Sequence, residues 1–198
     1  MNISLHQNWM DEESINFFIE RIKYWNLIKY DSSRSILLTN GKTTDLYLNL
    51  RNYRNNHNAI IYLSHLLLPL IEKLNPDKLA GIPISMSGIL GHLSVISKKP
   101  YIEIINNPKK NGLTVYGVNE LDVYIRDKTF CIIDDVITDG ISKVSTIKKI
   151  EELGGIVKAI IVFVDREQGW PEIFQENNIN VPVWAGMSLS EIRKYIIK

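Results

Sequence analysis

The chain has 198 residues, of which 45% are hydrophobic and 23% charged; this is an ordinary globular composition, and at roughly 150 residues per domain it fits one domain. Lys plus Arg total 23 against 22 Asp plus Glu, a formal charge of +1, which excludes a protein held to nucleic acid by general electrostatics. A single cysteine, Cys131, lies in the apolar run Phe130-Cys131-Ile132-Ile133; it excludes an internal disulfide or a thiolate metal cluster and reads as a small core residue.

Residues 1–10 are polar and carry no apolar signal core, so no export is expected. The spacing of Ile15, Phe18, Ile19 and Ile22 predicts a helix over residues 12–27. Two strands, 36–39 and 46–50, are predicted around the turn Asn40-Gly41, with Tyr47 and Arg51 on the second. Residues 59–74 read as a largely buried helix stopped by Asn75-Pro76. The apolar stretch 60–71 within it is broken by Ser64, His65 and Pro69 and is too short to span a membrane. The chain is therefore expected in the cytoplasm.

A strand is predicted at 78–82, a helix at 87–97 and a strand at 101–105. Residues 106–127 are long, polar and weakly periodic, the pattern of a mobile loop or a ribbon. An apolar strand at 129–133 follows, then an amphipathic helix at 142–153 stopped by Gly154-Gly155, a strand at 156–164, a short helix near 171–176, a strand at 181–184 and a terminal helix from Leu189. Continuous apolar strands alternating with helices predict a mostly parallel sheet covered on both faces. Ligands of such sheets sit at the carboxyl ends of the strands. His6, His57, His65 and His92 show no metal-ligand spacing and receive no catalytic role.

The segment richest in chemistry is Ile132-Ile133-Asp134-Asp135-Val136-Ile137-Thr138-Asp139-Gly140-Ile141-Ser142. A buried strand is expected to end in two adjacent carboxylates, and hydroxyls, a glycine and the free amides of a helix start follow. Orphan amides and the helix dipole favour phosphate, and carboxylates accept hydrogen bonds from sugar hydroxyls. The Gly-x-x-x-x-Gly-Lys pattern of a Walker loop is absent. The other reading of these residues is an Asp-Asp turn with Ser142 as an ordinary helix cap. Buried carboxylates without a ligand are costly, which favours the ligand reading.

Residues 132–142 resemble the phosphoribosyl-pyrophosphate (PRPP) motif of type I phosphoribosyltransferases. Four further stretches narrow the resemblance to orotate phosphoribosyltransferases: Asn40-Gly41-Lys42-Thr43-Thr44-Asp45-Leu46-Tyr47-Leu48-Asn49-Leu50-Arg51, Ala80-Gly81-Ile82-Pro83, Asp165-Arg166-Glu167-Gln168-Gly169 and Ser188-Leu189-Ser190-Glu191-Ile192. They occur in that family's order along nearly the whole chain. The resemblance implies a mostly parallel five-stranded sheet flanked by helices, with a core of residues 51–183 and a small hood from residues 1–50 and 184–198. It implies transfer of the phosphoribosyl group of PRPP to orotate in pyrimidine biosynthesis, with Mg²⁺ held through PRPP and water near Asp134 and Asp135 and no direct protein ligand. It further implies a homodimer whose mobile loop reaches the partner's site.

By the same resemblance, Thr138, Asp139, Gly140, Ile141 and Ser142 would bind the 5′-phosphate. Ser85, Met86, Ser87 and Gly88, with Lys109 and Lys110, would bind pyrophosphate. Arg166 and Tyr47 would bind orotate, and Lys109, Asp134 and Asp135 would be catalytic. Replacing both acids by Asn is expected to remove PRPP binding and leave the fold intact. The sequence departs from the family pattern at Thr39, Ile105, Asn106 and Asn111, where Lys, Arg, Lys and His are usual. Charge-assisted contacts of about 1.5–3 kcal/mol each are lost with the three missing cations. Two alternatives therefore stand beside the orotate reading: a transferase for another base, and a PRPP-binding regulatory protein with little turnover.

Overall fold

The apolar runs that look buried on both faces form adjacent strands at the centre of one sheet. In the computed structural model, residues 6–33, 35–37, 43–82, 85–107, 112–115 and 125–197 are described. Strands β1 (His6–Asn8), β6 (Lys78–Gly81), β7 (Tyr101–Asn107), β8 (Gly112–Val115), β9 (Thr129–Ile137), β10 (Ile156–Asp165) and β11 (Val183–Ser188) make a seven-stranded sheet in the order β1-β11-β10-β9-β6-β7-β8. All pairs are parallel except β7 with β8. The five expected strands form the middle, and a short strand is added at each edge. β8 turns part of the 106–127 segment into a ribbon on β7, starting with Asn107 opposite Gly112.

Successive side chains of a strand point to opposite faces, and two separate cores result. Cys131 and Ile133 of β9 with Ala159, Ile161 and Phe163 of β10 pack against helices α1 (Glu12–Tyr24), α2 (His57–Leu74) and α3 (Ser87–Ser97). Phe130 and Ile132 with Ile160 and Val162 pack against α4 (Ile141–Glu152) and α5 (Trp170–Glu176). Burial pushes the Cys131 thiol up to about 12, so it is the inert core residue expected.

Outside the sheet, β2 (Ile28–Tyr30) pairs antiparallel with β5 (Leu46–Leu48), and β3 (Ile36–Leu37) with β4 (Thr43–Thr44). The predicted strands at 36–39 and 46–50 are therefore not each other's partners: Ile36–Leu37 takes Thr43–Thr44, and Leu46–Leu48 takes Ile28–Tyr30. Arg51 lies on a short 3-10 helix, Leu50–Asn55, rather than on a strand. The last helix, α6 (Leu189–Ile196), starts at a capping box between Ser188 and Glu191. It is tied to the β2–β5 ribbon by a bidentate pair, Arg193 to Asp45 at 2.7 and 2.8 Å. β1 and β11, which lie wholly or partly in the residue ranges expected for the hood, are strands of the central sheet. No helix among the described residues is long and apolar enough to cross a membrane.

Candidate active site

β9 does not end at the acidic pair; it runs on to Ile137. Asp134 and Asp135 are therefore neighbours within a strand. Both are 5% exposed.

On the α4 side, Lys143 Nζ donates to Asp134 Oδ2 at 2.5 Å and to the Val136 carbonyl at 2.7 Å. Lys143 is itself 4% exposed, and a buried lysine is tolerated only with such partners. Ser85 Oγ donates to Asp134 Oδ1 at 2.5 Å, and the Asp135 amide donates to the same oxygen at 2.9 Å. Asp134 thus fastens together three pieces: the turn before α3, the strand β9 and the first turn of α4.

Asp135 is held differently. Its Oδ1 accepts the Val136 amide at 3.0 Å, and its Oδ2 faces Arg51 Nε at 3.2 Å. Burial, then the charge of Asp134, pushes its carboxyl up to about 6. Of the two acids, Asp135 is the one whose cation partner is largely exposed: the Arg51 side chain is 63% exposed, that of Lys143 5%.

The loop after β9 turns at Gly140, with φ +80°. Gly140 is the cap of the twelve-residue helix α4 and offers no side-chain cap, so the reading of Ser142 as cap does not hold. Val144 N is the first amide bonded to Gly140 O. Of the three earlier amides, Ile141 N donates to Asp139 Oδ1 at 3.1 Å. Those of Ser142 and Lys143 have no acceptor among the described residues. They sit at the positive end of the helix dipole, the arrangement that receives a phosphate.

In the turn before α3, Ser85 is buried and committed to Asp134, and the Met86 side chain is fully buried in the core. Ser87 Oγ donates to Glu103 Oε1 at 2.5 Å, so of these residues only backbone groups and Gly88 are left for an anion. At the end of β10, the Arg166 amide donates to Ile137 O at 2.9 Å, which places Arg166 directly beside the start of the phosphate loop. Its acidic neighbours are committed elsewhere. Asp165 accepts from the Glu167 amide at 2.7 Å and from Trp170 Nε1 at 2.9 Å, and Glu167 accepts from the Ser190 amide and hydroxyl. The half-buried Arg166 side chain has no partner among the described residues.

No protein-family model matches the chain. An orotate phosphoribosyltransferase of Methanosphaera stadtmanae is 32% identical to it over 182 residues, 91% of this chain and 97% of that protein. The chain belongs to the orotate phosphoribosyltransferase family. Orotate phosphoribosyltransferase from Aeropyrum pernix has a TM-score of 0.74 at 18% identity, covering 90% of this chain and 97% of that one. The Mycobacterium tuberculosis enzyme in complex with PRPP has a TM-score of 0.65 at 15% identity, covering 88% and 96%. At these identities the structural likeness shows the fold, that of type I phosphoribosyltransferases.

Three cationic positions of the orotate phosphoribosyltransferase pattern hold neutral residues here, and two of them fall on β7: Ile105 is half-buried in the strand, and Asn106 continues it. Thr39, Lys109, Lys110 and Asn111 lie outside the described residues. Tyr47 is half-buried on β5, opposite Lys29 of β2. Lys143 escaped the sequence reading, although its spacing with Ile147 and Ile150 puts it on the buried face of α4. Glu103 was hidden in a strand that otherwise reads as apolar.

Proposed function

We propose that the chain is an orotate phosphoribosyltransferase that joins orotate to the anomeric carbon of PRPP. The bond from that carbon to the pyrophosphate oxygen breaks, a carbon–nitrogen bond to the orotate ring forms, and the ring nitrogen's proton is lost. The products are orotidine 5′-monophosphate and pyrophosphate. The transition state resembles an oxocarbenium ion, so the protein's work is to hold two anions and an aromatic acid in line and to exclude water.

The observation that carries this reading is Asp134 holding Ser85 on one side and Lys143 on the other. It sets the turn before α3 and the amides of α4 at fixed positions around one acidic strand. In this reading residues 138–142 take the 5′-phosphate through backbone amides and the hydroxyls of Thr138 and Ser142. Asp135 takes the ribose hydroxyls, with Asp134 holding the frame. Gly88 and the backbone of residues 85–87, with Lys109 and Lys110, take pyrophosphate, and Lys109 supplies charge as the bond breaks. Arg166 presents a planar fork to the carboxylate or imide edge of orotate, and Tyr47 borders the same pocket.

Mg²⁺ would fit this site with diphosphate oxygens and water as its ligands. Asp134 is bonded to Ser85 and the buried Lys143, whereas the cation on Asp135 is the largely exposed Arg51, so Asp135 would be the acid that accepts from the ion's water. Bound there, the ion would neutralise charge that builds on the leaving pyrophosphate. The working form in this reading is a cytoplasmic homodimer, which light scattering at micromolar concentration tests.

The deciding assay mixes the protein with PRPP, Mg²⁺ and orotate and follows orotate absorbance, which falls as the product forms. The second reading, PRPP binding with little turnover, draws on two local features. Asp139 occupies the Ile141 amide, and Glu103 occupies the Ser87 hydroxyl. PRPP binding by calorimetry without orotate consumption selects that reading.

A further inference from the structure

A ligand with a diphosphate needs cations, and those beside the acidic pair differ in what they have left to give. Lys143 is buried and spent on Asp134 and Val136. Arg51 is the opposite case: its side chain is 63% exposed, and only Nε is engaged, on Asp135 Oδ2 at 3.2 Å. A guanidinium has five N–H donors in a rigid fork. The other four have no protein partner among the described residues.

The short helix that carries Arg51 is pinned at a second place. Tyr53 is fully buried, and a Cβ built on Gly88 would come within 3.3 Å of its ring. Gly88 lies in the first turn of α3, next to Ser85 and the proposed pyrophosphate loop. The segment thus bridges the ribose-facing acid and the pyrophosphate loop, with Arg51 at the acid and Tyr53 at the loop.

We propose that Arg51 is a diphosphate-binding residue of this site, its Nε–H remaining on Asp135 while its outer N–H groups receive the diphosphate of PRPP. This rests on the reading of the site as a PRPP site. In PRPP the carbon that bears the diphosphate adjoins the one that bears the 2-hydroxyl. A hydroxyl bonded to Asp135 therefore brings the diphosphate within about one sugar ring of the guanidinium. Arg pairs with phosphate in a bidentate geometry that Lys cannot reproduce.

The test is calorimetric titration of wild type, Arg51→Gln and Arg51→Lys with PRPP, pyrophosphate and ribose 5-phosphate, each with Mg²⁺. Arg51→Gln is expected to bind pyrophosphate and PRPP at least about tenfold more weakly, as loss of charge-assisted bonds to phosphate requires. Its ribose 5-phosphate affinity should stay within about threefold, because that ligand lacks the diphosphate. Arg51→Lys should fall between Gln and wild type. Pyrophosphate binding of wild-type strength in Arg51→Gln overturns the inference. So does a parallel loss of all three ligands with a lower melting temperature, which makes Arg51 a structural tie. Wild type that binds no PRPP overturns the proposed function itself, a result distinguishable from either.

Discussion

Lys143 and Asp134 meet 2.5 Å apart, the one in the first turn of α4 and the other in the middle of β9, with both side chains almost wholly buried. Removing one partner of such a pair strands the other charge in the interior, which costs about 3–5 kcal/mol, whereas removing both costs much less. Lys143→Met and Asp134→Asn are therefore each expected to be severely destabilising, and the double variant to recover much of the loss. Urea unfolding of the three variants checks this; single-variant losses below about 1 kcal/mol would contradict it. The expectation that both acids tolerate Asn with the fold intact applies, on this structure, to Asp135 alone.

Asp135 supplies the pH dependence. Its carboxyl is held at about 6 in the folded protein against an ordinary 3.8. The folded state then binds the proton more tightly than the unfolded one. Between pH about 4 and 6 this group makes stability fall as pH rises, and above 6 the cost is complete. Asp135→Asn removes that cost, so the variant should unfold at a higher temperature than wild type at pH 7, by about 1–3 kcal/mol in stability. The advantage should disappear as pH falls to about 4. A difference between variant and wild type that stays constant from pH 4 to pH 7 would rule this out.

Much of the sheet was legible because β9 and β10 bury both faces and so read as unbroken apolar runs. Helix α3 matches its predicted span, set by its apolar spacing. β1 was not legible: His6, Gln7 and Asn8 are polar, and only backbone pairing with β11 makes them a strand. The end of β9 was misplaced because two adjacent acids look like a stop. Their partners lie far away in sequence or under a helix, and no local pattern reports that Ser85 and Lys143 converge on Asp134. The two acids differ in their cations, a buried lysine for Asp134 and a largely exposed arginine for Asp135.

Gly140 shapes the phosphate loop and fits no other residue. Its φ is +80°, and an added Cβ would come within 2.9 Å of Phe174 Cε1 and 3.0 Å of Trp170 Cβ. The left-handed conformation alone costs a residue with a Cβ about 1–2 kcal/mol, and the contacts add to that. Gly140→Ala is expected to lose at least about 2 kcal/mol of stability and to weaken binding of ribose 5-phosphate. Thermal unfolding and calorimetric titration give both numbers; wild-type values for each would show that the loop tolerates the side chain.

Arg166 separates base recognition from PRPP recognition. Its backbone is fixed by the bond from its amide to Ile137 O at 2.9 Å, which no side-chain substitution removes. Its side chain is only half-buried, and both flanking acids are already bonded elsewhere. Replacing it should therefore change stability by no more than about 0.5 kcal/mol. What is lost is a guanidinium beside the loop that precedes α4, where a planar acid next to the ribose would lie. Arg166→Gln is expected to weaken orotate binding at least about tenfold, the scale of one bidentate charge-assisted pair, with PRPP affinity unchanged. Arg166→Lys should recover only part of the loss, because a point charge cannot reproduce two parallel bonds. Orotate titrations of the PRPP analogue complex of each variant make the measurement. If orotate binds Arg166→Gln as tightly as wild type, the base is held by other groups, and Tyr47 becomes the first candidate.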